Sequence, residues 1–365
     1  MKLVVFGLSI SSSWGNGHAT LWRALCRALA RRGHHTVFFE RDVPYYAAHR
    51  DALAVEGVEL VLYDDLAQIA KRAEEDLRTA DVGMVTSYCP DAIAATALVA
   101  GNARTSVFYD LDTPVTLDGL RRGDAVSYIG PRGLGDFDLV LSFTGGEALT
   151  ALQSTLGARR VAPLYGSVDP AVHHPVPPVD RYRSALSYLG TYAEDRQRML
   201  EALLLGPARL RPEMRFIIGG AAYPHDFPWL ANLFFVRHLP PAEHPAFFSS
   251  SPITLNVTRR AMAEMGYCPS GRLFEAAACG TAILSDRWEG IERFFTPGEE
   301  LLVARTTEEA LGALDRSDEE LSRIGRAARE RALGEHTADH RAIDLERALE
   351  LAHARIDEPS LAGTA

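Results

Sequence analysis

The stretch KLVVFGLSISSSWGNGHATLWRALCRALARRGHHTVFFE, residues 2–40, sets the fold class. Leu3–Gly7 is a short apolar run that is typical of a buried strand. Residues 19–32 carry leucines at helical spacing, and Gly33 supplies a stop for this helix. The apolar run HTVFFE follows at once. A strand, a helix and a second strand in this order predict parallel strands with a helix packed on the sheet.

The same alternation continues along the whole chain. Further strands are predicted at GVELVLY, ADVGMVTSY, TSVFYDLD and FDLVLSF, and then at SALSYLGTY, MRFIIGG, LFFVRHL, ITLNVT, TAILSD and EELLVA. The proline-rich stretch YGSVDPAVHHPVPPVDRYR separates the two groups. We therefore expect an α/β protein with two doubly wound Rossmann-like domains that face each other across a cleft. The expected segments are a first domain at 1–168, a connector at 169–182, a second domain at 183–338, a terminal helix at 339–356 and a disordered tail at 357–365.

Bulk properties restrict the function. A chain of 365 residues fits two domains, and its net charge of −10 disfavours nucleic acid and anionic membranes as main partners. The start of the chain is too short and too strand-like for a signal peptide, and no apolar run approaches a membrane span. The widely spaced cysteines predict reduced thiols in a cytoplasmic protein rather than a zinc site or a disulfide framework: Cys26, Cys89, Cys268 and Cys279.

Residues 269–304, PSGRLFEAAACGTAILSDRWEGIERFFTPGEELLVA, place a charge inside an otherwise apolar helix. Ser270 is a candidate N-cap, so the helix would begin near Gly271, stop at Gly280 and carry Glu275 about one turn inside. A carboxylate there could accept two hydrogen bonds from a ribose diol, and the helix N-terminus suits a phosphate. On position alone, Glu275 could equally complement only the helix dipole.

This segment resembles the nucleotide-binding part of GT-B glycosyltransferases, and in particular the spore-maturation (CgeB-type) glycosyltransferase-like group. The shared pattern is R-x-F-E-A-x-A-C-G-T, then S-D-x-W-E-G-I/L-E, then F-x-P-G-E-E. Weaker likeness extends through LNVTRRAM, YLGTY and LYGSVDP. The resemblance implies transfer of a sugar from a nucleotide-diphosphate sugar to an acceptor hydroxyl. The residues that it implies for the nucleotide sugar are Glu275 at the ribose, Arg272, Ser270 and Leu273 beside the nucleotide, Asn256 and Arg259 near the diphosphate, and the turn Gly190, Thr191 and Tyr192.

One position departs from the pattern. Many retaining GT-B enzymes carry a second glutamate eight residues before the ribose glutamate, and Tyr267 stands there in this chain. Donor-sugar contacts must therefore differ, although retention is still the expected outcome through the fold relatives. Arginines and helix dipoles can stabilise a departing diphosphate, so we expect no metal. The scattered histidines, His173, His174, His225, His238 and His244, lack metal-ligand spacing and are interpreted as surface or loop residues.

The acceptor is expected on the first domain. The loop from Leu8 contains Gly15 and Gly17, which allow close approach of a ligand, and His18 could act as a general base or a diphosphate donor. Asp110 and Asp112 follow another strand and could face a sugar or act as the base. The alternatives are a helix-start histidine without a catalytic role and a carboxylate that merely caps the turn before Pro114. The acceptor itself could be a small molecule, a glycan or a protein.

Three other functions fit parts of the sequence. The first is that of a nicotinamide or flavin enzyme. The loop GNGHAT, with Glu40 at the end of the second strand, imitates a dinucleotide-binding fingerprint, but Thr20 stands where its third glycine should be. A nucleotide-sugar epimerase or a non-catalytic sugar-nucleotide-binding protein could also use the same fold. Against a purely binding role, the anion-binding turns look complete in both halves of the sequence.

Overall fold

A computed structural model describes residues 1–354. The expected disordered tail and the last two residues of the expected terminal helix lie outside the described residues. The chain forms two compact units. The first unit contains residues 1–12, 25–165 and those from 339 onward, and the second contains 13–24 and 166–338.

The first unit is built on a seven-stranded sheet whose strand pairs are all parallel. Its strands run in the order β3-β2-β1-β4-β5-β6-β7. The central strands are buried along nearly their whole length, as expected for a parallel sheet with both faces covered. The strands are β1 (Lys2–Gly7), β2 (His35–Arg41), β3 (Val58–Tyr63), β4 (Val82–Thr86), β5 (Ser106–Asp110), β6 (Leu139–Ser142) and β7 (Val161–Pro163).

Helices connect these strands, because parallel neighbours need a crossover. Helix α5 starts directly after β5 with Pro114 in its first turn, and Gly123 ends it in the left-handed conformation at φ 79°. The helices of this half are α1 (Gly17–Arg31), α2 (Pro44–Ala47), α3 (Leu66–Arg78), α4 (Ala92–Asn102), α5 (Thr113–Arg122) and α6 (Glu147–Leu156).

The second unit has a six-stranded parallel sheet in the order β10-β9-β8-β11-β12-β13. The chain order reverses between β8 and β11, and doubly wound sheets bind ligands beyond the carboxyl ends of strands at such a switch point. The strands are β8 (Leu186–Leu189), β9 (Phe216–Gly220), β10 (Leu233–Arg237), β11 (Ile253–Asn256), β12 (Ala282–Ser285) and β13 (Leu302–Val303). The turn Gly190–Tyr192 and the loop that leads to Arg259 therefore leave adjacent strands at this edge.

The remaining helices are irregular at one place, where a π-helical segment at Glu201–Leu205 joins two short α-helices. Pro207 has no N–H to donate to the preceding turn, which accounts for the irregular hydrogen bonding before it. The helices are α7 (Gln197–Leu200), α8 (Gly206–Leu210), α9 (His244–Ser249), α10 (Arg260–Met265), α11 (Gly271–Ala278), α12 (Thr307–Leu314), α13 (Asp318–Glu335) and α14 (Ala338–Ala354).

Helix α14 packs within the first unit from Asp339 onward. Glu346 accepts hydrogen bonds from Arg32 Nε at 2.7 Å and pairs with His34 Nε2 at 2.6 Å, while Asp339 pairs with Arg31. The hydrogen bond from Arg32, together with His34, lowers the pKa of Glu346 to about 2 against the effect of burial. The last described helix is thus tied to the end of α1. None of the helices in residues 1–354 is long and apolar enough to cross a membrane.

Candidate functional site

Helix α11 carries Glu275 and follows β11 in the second sheet. Ser270 has an extended backbone at the N-cap position, although its side chain makes no capping hydrogen bond, and Gly280 follows the helix at φ 75°. The sequence predicted this start and stop closely. Apolar residues on both sides of Glu275 are buried, and the Glu275 side chain itself is 14% exposed. The fold thus fixes the carboxylate on a packed helix while leaving it partly accessible.

The surroundings of Glu275 favour its ionised form. His173 Nε2 lies 3.9 Å from Glu275 Oε1, and His244 Nδ1 lies 3.7 Å from Oε2. Burial alone would raise the pKa of Glu275, but the two histidines and Arg272 together outweigh burial and lower the pKa to about 2. Glu275 is therefore a carboxylate, and an acceptor of hydrogen bonds, at any physiological pH.

Arg272 lies one turn before Glu275 and is held from two sides. It donates a hydrogen bond from Nη1 to Asn256 Oδ1 at 2.9 Å, and its guanidinium lies 5.1 Å from the centre of the Tyr188 ring. Gly190 makes this position possible, since a Cβ on it would lie 3.0 Å from Arg272 Nη2 and 2.8 Å from Tyr188 Oη. The glycine of the predicted turn thus lets a guanidinium approach the backbone.

A second arginine, Arg196, joins this group and was missed in the sequence. Its Nη1 donates to Thr191 O at 3.0 Å, while its buried Nε has no hydrogen-bond partner within residues 1–354. Burial, and then repulsion from Arg196, lowers the pKa of Arg272 against the attraction of neighbouring groups. Two guanidinium groups that repel each other at the carboxyl end of β8 favour an anion. Arg196 could have been suspected from its position four residues after Tyr192 in the predicted turn.

The residues of the turn Gly190–Tyr192 differ in burial and in packing. Gly190 is buried, Thr191 is exposed, and Tyr192 packs on the rings of Tyr223 and Phe227 with centroids 5.5 and 6.1 Å away. Tyr223 also donates from Oη to Gly190 O at 3.1 Å. An aromatic group therefore fixes the backbone of the turn beside the two arginines.

The structure corrects two expected nucleotide residues and gives a partner to a third, Arg259, whose place near the diphosphate stays a prediction. Asn256 is buried and its amide bridges Ser285 Oγ and Arg272, so it positions the arginine rather than approaching a diphosphate itself. Leu273 is fully buried, and its N–H donates to Ser270 O, so it belongs to the core. Arg259 donates from Nε to Asp195 Oδ2 at 3.1 Å, which occupies part of its guanidinium.

Asp110 and Asp112 lie at the end of β5, where Asp110 is buried and Asp112 is half-buried. Asp110 is completely buried, and its Oδ1 accepts hydrogen bonds from Asp112 N and Thr116 Oγ1, both at 3.1 Å. Its Oδ2 is buried without a partner in the described chain. Burial raises the pKa of Asp110 to about 6 in spite of these hydrogen bonds. Asp112 accepts from Tyr88 Oη at 2.9 Å, and Tyr88 has a left-handed backbone at φ 64°. Asp110 therefore caps the turn, as the alternative predicted, and also has the raised pKa of a candidate base.

His18 lies at the start of α1, in the part of the chain that packs with the second unit. Its N–H donates to Asn16 Oδ1 at 3.1 Å, and the preceding loop turns through Gly15 at φ 61°. Gly17 is exposed, and within the same unit the Trp14 ring lies 3.7 Å from that of His238. These contacts fix the loop that carries the histidine.

Glu40 does not serve as the acidic residue of a dinucleotide site. It is completely buried and accepts four hydrogen bonds, from the N–H groups of Ile10 and Ser11 and the hydroxyls of Ser9 and Ser11. The carboxylate thus organises the loop after β1 and has no free face for a ribose.

His173 lies in a loop, as one part of the interpretation expected, but it is buried rather than at the surface, with 5% of the residue exposed. Although His173 and His244 are distant in sequence, they share the surroundings of Glu275, and donor atoms of the three residues lie within 4.8 Å of one another. No pattern of short spacings could have revealed this, because the connector, α9 and α11 each supply one residue.

Residues 196–347 match a family model described as "Glycosyl transferase-like". No protein with a curated function matches the chain by sequence comparison. Solved structures align over almost the whole chain at 12–13% identity, which shows the fold. A sucrose-phosphate synthase from Thermosynechococcus elongatus has a TM-score of 0.66 at 13% identity and covers 97% of this chain and 100% of its own.

Two further structures hold nucleotide ligands. Anabaena Alr3699/HepE in complex with UDP-glucose has a TM-score of 0.68 at 13% identity and covers 96% of this chain and 100% of its own. An α-glucosyltransferase in complex with UDP and a 13-mer DNA containing an HMU base has a TM-score of 0.70 at 12% identity, with 96% and 99% covered.

The comparisons confirm the fold class predicted from the sequence, GT-B with two Rossmann-like units. They also support the predicted enzyme class, a glycosyltransferase, through the matched segment. That segment includes Arg196, Arg272 and Glu275. The comparisons do not distinguish the CgeB-type group from other glycosyltransferases, so this finer assignment stays a prediction.

Proposed function

We propose that this protein transfers a sugar from a nucleotide-diphosphate sugar to an acceptor hydroxyl, and that UDP-glucose is the first donor to test. The observation that carries the proposal is the ionised Glu275 beside Arg272 on α11, within the segment that matches a glycosyltransferase family. The choice of UDP-glucose rests on two similar structures whose complexes contain UDP or UDP-glucose.

In this proposal Glu275 accepts hydrogen bonds from the ribose diol of the donor. Arg272 and Arg196 bind the diphosphate and stabilise the negative charge that grows on it as the sugar leaves. The free N–H groups at the start of α11 add to the same field. Since the two guanidinium groups carry fixed charges, transfer would proceed without a metal, and the protein would hold the leaving group by these residues alone.

The acceptor would bind to the first unit near Asp110 and Asp112. Asp110, with its pKa near 6, suits proton abstraction from a hydroxyl near neutral pH, and His18 is the other candidate base. The acceptor classes to test are small molecules, glycans and proteins, and DNA is included because one similar structure is a DNA complex. We propose retention of the anomeric configuration, in keeping with the resemblance, despite Tyr267 at the position of the second glutamate. If His18 or an aspartate acts as an in-line base, the product is inverted instead, and NMR of the product distinguishes the two outcomes.

The decisive experiment is donor binding by calorimetry with a panel of UDP, GDP, ADP, dTDP and CMP sugars. Glu275→Ala should weaken binding of the preferred donor about tenfold to hundredfold, because one hydrogen bond to a charged group contributes about 1.5–3 kcal/mol. Glu147→Ala is the matched control: it removes an exposed first-turn glutamate from α6 and should leave affinity unchanged. Equal donor affinity in the wild type and Glu275→Ala would refute the role of this carboxylate.

Turnover then separates the remaining alternatives. An epimerase would convert the donor with no acceptor present, whereas a transferase would release the nucleoside diphosphate only with an acceptor or slowly with water. A binding protein would hold the donor intact across the acceptor panel. The proposal would be contradicted if no acceptor in the panel promoted release of the nucleoside diphosphate from the donor.

A further inference from the structure

Glu275 belongs to a second constellation that sugar transfer does not use. His173 from the connector and His244 at the start of α9 lie on either side of its carboxylate, at 3.9 and 3.7 Å. One donor atom from each of the three side chains lies within 4.8 Å of the others. Two imidazoles and a carboxylate are a common ligand set for divalent transition metals.

The hydrogen bonding of this group is incomplete. His173 is 5% exposed, yet neither of its ring nitrogens has a hydrogen-bond partner within residues 1–354. His244 Nδ1 is likewise buried without one. Leaving a buried polar atom unpaired is destabilising, so the two ring nitrogens that lie nearest the Glu275 carboxylate need an explanation. A bound cation would satisfy the nitrogen of each ring that faces Glu275.

We propose that His173, His244 and Glu275 bind a divalent transition metal of the Zn²⁺ class, with a fourth position open to solvent or ligand. Zinc bonds of about 2.0–2.2 Å in a tetrahedral arrangement bring ligand atoms to roughly 3.4 Å from one another. The two separations from Glu275 are slightly longer, and the three donor atoms as a group lie within 4.8 Å, so side-chain rotations that bring the two rings closer together would complete the site. Mg²⁺ and Ca²⁺ are disfavoured, because they prefer oxygen ligands.

The surrounding charges are mixed. Asp169 adds a negative charge within electrostatic range of His173, and Arg272 adds a positive charge within range of Glu275. The two ring nitrogens and the carboxylate oxygen themselves, rather than the wider field, therefore favour a transition metal.

A consequence follows if the proposed function is also correct. The carboxylate of Glu275 would then be shared between the ribose of the donor and the metal, and the two ligands would compete. The metal would inhibit transfer and would play no part in the chemistry of the reaction. Zn²⁺ should accordingly weaken UDP-glucose binding to the wild-type protein.

The test is calorimetric titration of the metal-free full-length protein with Zn²⁺, supported by Co²⁺ absorption spectra. His173→Gln and His244→Gln should each lower Zn²⁺ affinity at least roughly tenfold and weaken the intense visible band of tetrahedral Co²⁺. His174→Gln is the matched control: it changes the exposed neighbour of His173 and should bind as the wild type does. Melting curves without metal verify that each variant is folded. If His173→Gln does not fold, His173→Asn replaces it in the test. Wild-type affinity in both folded cluster variants overturns the site.

The outcomes separate this inference from the proposed function. If Zn²⁺ binds as expected while no nucleotide sugar binds, the metal site stands and the proposed function fails. If UDP-glucose binds but Zn²⁺ does not, the metal site fails and the proposed function stands. If both bind together with unchanged affinities, the sharing of Glu275 is wrong.

Discussion

Asp110 shows how one residue can combine a structural role with a chemical one. It sits at the end of a fully buried strand and caps the following turn, yet one of its oxygens has no partner among the described residues. Keeping this carboxylate charged in an apolar environment costs free energy, which is why burial raises its pKa to about 6. The charge is tolerated because neighbouring N–H and O–H groups compensate part of the cost.

The raised pKa of Asp110 predicts a specific pH dependence of stability. The folded state holds this proton more tightly than the unfolded state, whose Asp pKa is about 3.9. The contribution of Asp110 is therefore present below pH ~4 and is lost as pH rises through about 6. Asp110→Asn should remove this pH dependence. The free energy of unfolding of the variant, minus that of the wild type, should therefore increase from pH 4 to pH 7, and urea titrations measure it.

Asp64→Asn, which removes an exposed aspartate, controls for general charge effects and should give no such trend. If Asp110 also acts as the base, Asp110→Asn should abolish transfer while donor affinity persists. A constant stability difference between wild type and Asp110→Asn across this pH range would contradict the prediction.

At the scale of single residues, the sequence predicted the role of a side chain well only where that side chain belonged to a recognisable motif. Glu275 and Arg272 came from one continuous segment, and their place on α11 agrees with the predicted helix. Arg196, His173 and His244 were missed because their significance lies in neighbours that come from other parts of the chain. Leu273 was assigned to the ligand by its place in the motif, but the helix turns it into the core.

Among the elements, strands were easier to predict than their irregular connections. Every predicted apolar run contains a strand, since parallel strands that are buried on both faces are almost entirely apolar. Strand β7 was missed because it has only three residues, lies at the sheet edge and is not buried. The π segment before Pro207 was also unpredicted, because such a bulge depends on hydrogen bonds rather than on hydrophobic pattern.

Helix α14 is an element whose attachment can be tested by acid. Because the pKa of Glu346 is lowered, its ion pairs with Arg32 and His34 contribute stability above the unfolded Glu pKa of about 4.3. That contribution is lost as pH falls through about 2. Glu346→Gln should therefore destabilise the protein at pH 7 and progressively less toward pH 3. Glu350→Gln, an exposed change on the same helix, should be neutral. Circular dichroism melts measure both, and a deficit that persists undiminished at pH 3 would contradict the assignment.

For the whole molecule, each unit has its own parallel sheet and its own buried core. Glu275, Arg272 and Arg196 all belong to the second unit. A saturating donor should therefore protect amides in 166–338 from hydrogen exchange more than those in 25–165, since a ligand stabilises the structure to which it binds. Mass spectrometry with and without UDP-glucose measures the difference. Protection concentrated in the first unit instead would place the nucleotide elsewhere than proposed.

The return of α14 to the first unit has a consequence for synthesis on the ribosome. That unit begins with Met1 but is completed only from Asp339 onward. The intervening 166–338 must be translated first, and these 173 residues take about 10–35 s at typical rates of protein synthesis. During that interval the nascent chain exposes the surface of α1 that the missing helix will cover. The first unit is thus completed only after the second unit has been synthesised, although most of its residues are made earlier.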